Sequence, residues 1–225
     1  MIPPLARFRS GGSDPYWSSV VTLLPFHGTN GSTAVADVKG SSWSSSGSFA
    51  IKSDNSKFGG SSGNFPSSSA VTRASSADYA FGTGDFTVEF WVYTGSVTQE
   101  ASLIGLRNQP NGVYDNQISM TGGGYVSWSN GSAWASSSTL LTANTWTHIA
   151  VTRASGTLRI FQNGVQVYSG SQTVNIAGNR IGSIGAFDGG VQYYYNGYIS
   201  DLRITKGVAR YTSGFTPPAT SFPNH

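Results

Sequence analysis

Short stretches of this chain alternate apolar and polar residues, the pattern of a strand that buries one face of a sheet. FTVEFWVY (86–93) is the clearest case, and the residues on its apolar face are Phe86, Val88, Phe90 and Val92. Similar patterns predict strands at VVTLLPF (20–26), WTHIAVTR (146–153) and 199–205. No segment keeps a helical period over several turns. The sequence therefore predicts an all-β fold.

The segment TLRIFQNGVQVYSG (157–170) predicts a β-hairpin. Asn163 and Gly164 tolerate the positive φ that both central residues of a type I′ turn adopt. Apolar residues flank this turn on both sides, so the two arms can share one buried face. Strands at such short spacing, joined by glycine and asparagine turns, predict two packed antiparallel sheets.

The beginning of the chain contains several interruptions of regular structure. Paired prolines, paired glycines and an Asp-Pro step all fall within 1–17. We expect an extended arm there, either disordered or docked on a partner chain through Ile2, Leu5 and Phe8. The same stretch lacks the apolar core of a signal peptide, so we expect nothing in it to export the chain.

Composition narrows the class of protein. Aromatic residues make up 13% of the chain, enough for a core, whereas charged residues make up only 10%. The 13 basic residues are scattered along the chain, which argues against a nucleic-acid surface. There is no cysteine, so neither a disulfide framework nor a thiolate metal site is expected. No apolar run approaches the roughly 20 residues of a membrane span.

Candidate catalytic residues are few. Glycoside hydrolysis uses two carboxyl groups on either side of the scissile bond, and only Asp85 and Glu89 have a spacing that shares a strand face. Asp85 also suits the turn before that strand. A serine–histidine–acid site would need His27, His148 or His225, and a structural role is the expected one for His148 in its strand. We therefore predict no catalytic site.

Six segments in a fixed order carry a likeness to one known family. They are SSVVTLLPFHGTNGST, SKFGGSS, GDFTVEFWVY, WTHIAVTRASGTLRIFQNGVQV, NRIGSIG and YNGYISDLRITKGVARYTSGFTPP. Together they resemble the laminin-G-like (concanavalin A-like) jelly-roll domain, in the version common in structural proteins of tailed bacteriophages. The likeness covers about 18–222, which leaves 1–17 as the arm and 223–225 as a tail.

The resemblance implies a two-sheet antiparallel jelly-roll sandwich whose first and last strands are neighbours. It also implies binding or a structural role rather than catalysis. The ARYTSGFTPP segment would then lie over the sandwich, with Tyr211 and Phe215 packed against it. Two interpretations of Asp201 stay open at this point: a partly exposed ion pair with Arg203, or a metal ligand.

Calcium is the one cofactor that the resemblance suggests. Laminin-G-like domains often bind calcium through acids near a sheet rim, and calcium prefers several oxygen ligands at once. Asp37 and Asp201 are the possible ligands here. Phage versions commonly read FDG where this chain has Phe26-His27-Gly28, and histidine is a poor calcium ligand. No cofactor is expected to be required.

Two aromatic clusters are candidates for a glycan site, because tyrosine and tryptophan combine an apolar ring with a polar tip. One cluster lies within 122–134 and the other within 189–198. Strand alternation must turn at least one residue of each trio inward, so core packing and a protein–protein contact are alternatives. The six candidate ligand-binding residues are Tyr125, Trp128, Trp134, Tyr193, Tyr194 and Tyr195.

These features predict a non-catalytic virion surface protein, made in the host cytoplasm and placed on the capsid as a decoration protein or on the tail. The expected partners are other virion proteins, sister subunits of a homo-oligomer and host-surface glycans, without nucleic acid or membrane insertion. A free carbohydrate-binding lectin or adhesin is the alternative. A glycoside hydrolase that uses Asp85 and Glu89 is a further, less favoured one.

Overall fold

The computed structural model describes residues 12–58, 60–107, 115–131, 133–187 and 192–225. Within these residues the chain forms fifteen strands and two single turns of 3-10 helix, and no helix in them is long and apolar enough to span a membrane. The strands are β1 (Val20–Leu24), β2 (Ser44–Ser46), β3 (Ala50–Lys52), β4 (Ser62–Phe65), β5 (Ala70–Ser76), β6 (Phe86–Thr94), β7 (Ala101–Arg107), β8 (Asp115–Met120), β9 (Tyr125–Asn130), β10 (Trp134–Leu140), β11 (Thr147–Ala154), β12 (Thr157–Gln162), β13 (Val165–Ser171), β14 (Arg180–Ile184) and β15 (Gly197–Lys206).

The strands form two antiparallel sheets that pack face to face as a jelly-roll sandwich, which confirms the predicted fold class. The eight-stranded sheet has the order β13-β12-β11-β6-β15-β4-β3, and β1 also pairs with β15. The seven-stranded sheet has the order β10-β9-β8-β7-β14-β5-β2. Because Val20 of β1 lies opposite Thr205 of β15, the predicted pairing of the first and last strands is confirmed.

The predicted hairpin is present as β12 and β13. Asn163 has a φ of 48° and Gly164 a φ of 79°, the positive values that a type I′ turn requires. A Cβ added at Gly164 would lie 1.8 Å from the carbonyl oxygen of Phe215. Glycine at this position therefore allows both the turn and the close approach of the C-terminal segment.

The apolar faces of the strands meet between the two sheets and form the core. Val88 and Phe90 of β6 lie there with Ile149 of β11, all at most 2% exposed. Trp128 of β9 faces them from the seven-stranded sheet. The alternation in the sequence thus assigns the inner face of these strands correctly.

The outer face of the eight-stranded sheet is buried as well, which the alternation did not indicate. Thr87, Glu89 and Trp91 of β6 lie on that face and are at most 5% exposed. The C-terminal segment (207–225) runs across it, and Thr87 Oγ1 donates a hydrogen bond to the carbonyl of Val208 at 3.0 Å. Both faces of β6 therefore lie inside the protein.

Aromatic rings attach the C-terminal segment to the sheet beneath it. Tyr211 and Phe215 stack with their ring centroids 3.6 Å apart, and Phe161 of β12 meets Phe215 edge to face at 5.4 Å. Thr152 Oγ1 donates to the carbonyl of Tyr211 at 2.9 Å. The expectation that Tyr211 and Phe215 pack over the sandwich is confirmed.

Both ends of the described chain meet in a buried charge cluster. The carboxylate of Asp14 accepts hydrogen bonds from Arg203 and Arg210, at 2.9 and 2.8 Å. Glu89 accepts from Arg203 at 2.9 Å and from the Tyr211 hydroxyl at 2.8 Å. Burial alone would raise the pKa of Glu89, but the neighbouring cations lower it to about 2. Of the predicted arm, residues 1–11 lie outside the described residues.

Asp201 lies in a β-bulge of β15 and has a φ of 48°. The bulge takes Asp201 out of the strand alternation, and Arg203 bonds to Glu89 instead. The interpretation of Asp201 and Arg203 as a partly exposed ion pair is therefore wrong, since the two residues are only 1% and 4% exposed. Burial raises the pKa of Asp201 to about 7, although the nearby Ser221 hydroxyl, the charge of Arg203 and the Phe222 amide lower it in part.

Candidate functional site

A cleft of about 260 Å³ opens at the end of the sandwich where β6 ends and β15 begins. Strands of both sheets contribute to its walls. The residues that line it are Asn64, Tyr93, Gly95, Ser96, Gln99, Ala101, Met120, Tyr194, Asn196, Gly197 and Tyr198. The C-terminal segment, which covers part of the outer face of the eight-stranded sheet, contributes no lining residue. The cleft is therefore a place where aromatic side chains of the eight-stranded sheet reach solvent.

Sheet register places three of the lining residues side by side. Tyr198 of β15 lies between Tyr93 of β6 and Asn64 of β4. The rings of Tyr93 and Tyr198 meet edge to face, with centroids 6.0 Å apart. Trp146, just before β11, lies 5.6 Å from Tyr93 on the other side. Trp146, Tyr93 and Tyr198 form an aromatic row across three neighbouring strands.

The three consecutive tyrosines before β15 point in different directions. Tyr195 is fully buried, and its hydroxyl donates to the carbonyl of Tyr93 at 2.6 Å. A Cβ at Gly197 would lie 2.2 Å from that hydroxyl, so only glycine fits this part of the cleft wall. Tyr194 is half-buried and lines the cleft, whereas Tyr193 is 36% exposed and lies outside it.

Polar groups surround the aromatic surface of the cleft. Asn64, Gln99 and Asn196 supply three carboxamides, and the latter two are exposed. Ser96 belongs to the turn after β6, which is fixed by a hydrogen bond from Thr94 Oγ1 to the Ser96 carbonyl. Carboxamides both donate and accept hydrogen bonds, so these groups can bind a ligand's donors as well as its acceptors.

One loop carries a carboxylate, that of Asp54, near the aromatic row. The side chain of Asp54 interacts with the hydroxyl of Tyr198, and partial burial of that phenol together with the carboxylate raises the pKa of Tyr198. The next residue, Asn55, accepts a hydrogen bond from Trp146 Nε1 at 3.0 Å. The loop is thus held against the outer face of the sheet.

The chemistry of the cleft suits binding. All eleven lining residues belong to the described part of the chain, and none of them carries a carboxyl, imidazole, guanidinium or ammonium group. Hydrolysis of a glycosidic bond needs two carboxyl groups, which the lining does not supply. Aromatic faces with a few amides and hydroxyls can instead hold an uncharged polar ligand.

The alternative hydrolase site is contradicted by burial. Glu89 is 0% exposed beneath the C-terminal segment, where a sugar cannot reach it. Asp85 uses Oδ1 to accept the amide of Ser155 at 2.8 Å, which agrees with a turn role. His148 is fully buried too, with Nε2 3.5 Å from Glu89 Oε2, as a structural histidine would be.

The aromatic cluster within 122–134 does not form one surface. Trp128 is 4% exposed and packs in the core, while Tyr125 and Trp134 are 40% and 47% exposed. Tyr125 lies opposite Leu140 at one end of the β9–β10 pair, and Trp134 lies opposite Ser129 at the other. The structure therefore separates the two exposed rings and removes Trp128 from any surface.

The two candidate calcium ligands fit the ion poorly. Asp37 Oδ1 accepts the amides of Leu23 and Lys39, and Oδ2 accepts Trp43 Nε1, all at 2.8–3.1 Å. The carboxyl group of Asp201 is buried, with its pKa raised to about 7. Among the described residues, no three aspartate, glutamate, histidine or cysteine side chains gather as a metal site.

Sequence reasoning missed most of the cleft. It named Tyr194 but not Tyr93, Tyr198, Asn64 or Gln99. The available signal was alternation, since Tyr93 and Tyr198 each adjoin a core residue and must face outward. What joins them is the register of β6, β15 and β4, which local sequence does not specify.

Comparison with known families identifies one match. The profile described as "Concanavalin A-like lectin/glucanases superfamily", a laminin G type, matches residues 65–210. This range begins in β4 and ends beyond β15, so it contains most residues of both sheets. A search of curated protein sequences finds no significant match.

Solved structures show the same sandwich at low sequence identity. Domain 4 of AbnA, a GH43 extracellular arabinanase from Geobacillus stearothermophilus, in complex with arabinotriose, is 16% identical, with a TM-score of 0.66 over 85% of this chain and 94% of that domain. The binding domain of Paraclostridial Mosquitocidal Protein 1 is 16% identical, with a TM-score of 0.65 over 86% of this chain and 50% of its own. The binding domain of botulinum neurotoxin DC in complex with SialylT is 13% identical, with a TM-score of 0.61 over 86% of this chain and 49% of its own. The chain thus spans about half of each toxin binding domain, and the likeness concerns the fold.

Proposed function

Because this chain belongs to the concanavalin A-like lectin/glucanases superfamily, we propose that it is a non-catalytic carbohydrate-binding protein whose binding site is the cleft. The observation that carries the proposal is the lining: three tyrosines and three carboxamides, without a carboxyl group. Sugars present apolar C–H faces and many hydroxyls, and this lining offers a partner for both. A catalytic role would need acids that the cleft lacks.

Fold neighbours support a sugar ligand. One neighbour, domain 4 of an arabinanase, was solved with arabinotriose, and another, a neurotoxin binding domain, was solved with SialylT. The arabinanase domain gives the stronger support, because the likeness covers 94% of it, against 49% of the neurotoxin binding domain. In this chain the aromatic edge at the cleft would contact the sugar, with Tyr194 as the half-buried contact and Asn196 as an exposed hydrogen-bonding group.

A binding experiment on matched variants tests this proposal. Tyr194→Ala should weaken the binding of an oligosaccharide about tenfold, the equivalent of one lost aromatic contact. Tyr125→Ala, which removes an exposed tyrosine of β9 in the seven-stranded sheet, is the control and should leave the dissociation constant unchanged. Isothermal titration after screening on a glycan array provides the measurement. Equal losses in both variants, or losses in the control alone, would contradict the assignment to the cleft.

We further propose that the protein is displayed on a bacteriophage virion, as a capsid decoration or tail-associated component. The support is the ordered resemblance of DFTVEFWV, WTHIAVTR and DLRIT…ARYT…FTPP to phage structural proteins. Other virion proteins and sister subunits would then be its partners, and host-surface glycans its ligands.

Light scattering with and without residues 1–11 tests the assembly part of this proposal. The truncation stops before Asp14, so the buried charge cluster stays complete. We expect a defined oligomer for the full chain and a folded monomer for the truncated one. Two identical monomers would contradict an assembly role for the arm and favour the free lectin or adhesin.

A further inference from the structure

The aromatic row is longer than the cleft that it borders. Tyr93 and Tyr198 line the cleft, whereas Trp146, the third member of the row, does not. Trp146 is half-buried, and its ring centroid lies 5.6 Å from that of Tyr93. An aromatic surface therefore leads away from the cleft at Tyr93.

Two segments of the chain meet at Trp146. On one of them, Asn55 Oδ1 accepts a hydrogen bond from the indole Nε1 at 3.0 Å, which gives the ring a fixed orientation. On the other, the amide of Asn144 donates to the carbonyl of Thr94 at 2.8 Å. This bond places the turn between β10 and β11 against the end of β6, where Ser96 lines the cleft. The rim of the cleft thus continues as far as Trp146.

The register of the eight-stranded sheet gives the length of this surface. Its members, from one end to the other, lie on or next to β11, β6, β15 and β4 and are Trp146, Tyr93, Tyr198 and Asn64. Three strand spacings of about 4.8 Å span about 14 Å, which is about the length of three linked sugar rings. Successive rings are inclined by 53° and 81°, so the surface is stepped and suits a single soluble chain better than a flat crystalline polysaccharide.

Charges of both signs lie on a neighbouring segment and not in the row. Lys52 ends β3, and the exposed Asp54 follows it in the next loop. The row and the cleft lining contain no charged side chain. Contact between a sugar and the row therefore depends on the apolar bodies of the rings, and neutral glycans are the suitable probes.

We infer that the binding site extends along the aromatic row and takes a linear oligosaccharide of three or more sugars, with Trp146 as the contact farthest from the cleft. The inference rests on the proposed function, because it names the ligand class of the same site. A short chain held in the cleft does not reach Trp146, whereas a longer chain gains the indole as a further aromatic contact. Affinity should therefore rise with chain length until the chain reaches Trp146 and stay level beyond that length.

A chain-length series tests this inference by isothermal titration. The probes are neutral arabino-, cello-, chito- and malto-oligosaccharides, each from the disaccharide to the pentasaccharide. In the series that binds best, the dissociation constant should fall about tenfold between the disaccharide and the tetrasaccharide, the equivalent of one aromatic contact. Trp146→Ala should abolish this gain and leave the dissociation constant of the disaccharide unchanged. Tyr194→Ala should weaken both lengths equally.

Two control variants separate contact with the sugar from support of the fold. Asn55→Ala removes the hydrogen bond to the indole but keeps the ring, so it should preserve most of the gain. Trp134→Ala removes an exposed tryptophan of β10 and should leave every dissociation constant unchanged.

The outcomes distinguish the inference from the proposed function. Equal weakening of disaccharide and tetrasaccharide by Trp146→Ala would overturn the inference, because it would indicate a structural role for the indole. A dissociation constant that does not change with chain length would also overturn the inference and would leave the proposed function intact. Absence of binding by every series would overturn both.

Discussion

Replacing Asp201 by asparagine should stabilise the protein at neutral pH. The carboxyl group of Asp201 is 1% exposed, and burial raises its pKa from 3.8 to about 7. The folded state therefore holds a proton at this residue that the unfolded state releases between these two values. Stability should fall as the pH rises from about 4 to about 7 and stay level above that range.

The size of this effect follows from the shift in pKa. A rise from 3.8 to about 7 corresponds to about 4 kcal/mol of stability lost between acidic and neutral pH. Asparagine has the shape of the protonated acid and does not ionise. Asp201→Asn should thus resemble the unmodified protein at about pH 4 and be more stable by a few kcal/mol at about pH 8.

Urea unfolding followed by tryptophan fluorescence provides the assay, at several pH values between these limits. Asp54→Asn is the matched control, because it makes the same chemical change at an exposed loop residue. The control should keep the pH dependence of the unmodified protein. The reasoning fails if Asp201→Asn is less stable than the unmodified protein at about pH 8, or if its stability still falls between about pH 4 and 7.

Three further predictions follow from the buried contacts. Glu89→Gln should cost about 3 kcal/mol in urea unfolding at neutral pH, because it leaves Arg203 short of a charge partner; a loss below about 1 kcal/mol would contradict the cluster's role. With the pKa of Glu89 lowered to about 2, the contribution of this residue should be complete above about pH 4.5 and disappear as the pH falls toward 2. Gly164→Ala should lower the melting temperature more than Gly207→Ala, since both glycines have a positive φ but only Gly164 faces Phe215 within 4 Å; equal shifts would refute the close contact. The melting temperature should be the same in the presence of calcium as in the presence of a chelator. A clear rise with calcium would show that Asp37 or Asp201 binds the ion after all.

The strands and their inner faces could be predicted from sequence because they depend on local chemistry. Alternation in FTVEFWVY identified Val88 and Phe90 as core residues, and Asn163-Gly164 identified the hairpin through its demand for positive φ. The outer face of β6 could not be assigned in the same way. Glu89 is buried by residues more than a hundred positions away, through Arg203 and Tyr211.

The cleft was harder to predict than the fold. Sequence proximity suggested the tyrosine trio, but only Tyr194 of the three lines the cleft, because Tyr195 turns inward and Tyr193 outward. Tyr93 enters the site through strand pairing with Tyr198, and that register depends on how the whole sheet closes. The bulge at Asp201 is another such feature, since a single extra residue changes which side chains share a face.

The most direct test of the cleft as a glycan site is an NMR titration with the neutral oligosaccharide that binds best. The side-chain amides of Asn64, Gln99 and Asn196 give resonances that report contact at the lining itself. We predict that these signals, together with the ring protons of Tyr194, shift in a saturable way, while the ring protons of Trp134 stay in place. Saturable shifts at Tyr125 and Trp134 with none at the three carboxamides would contradict it.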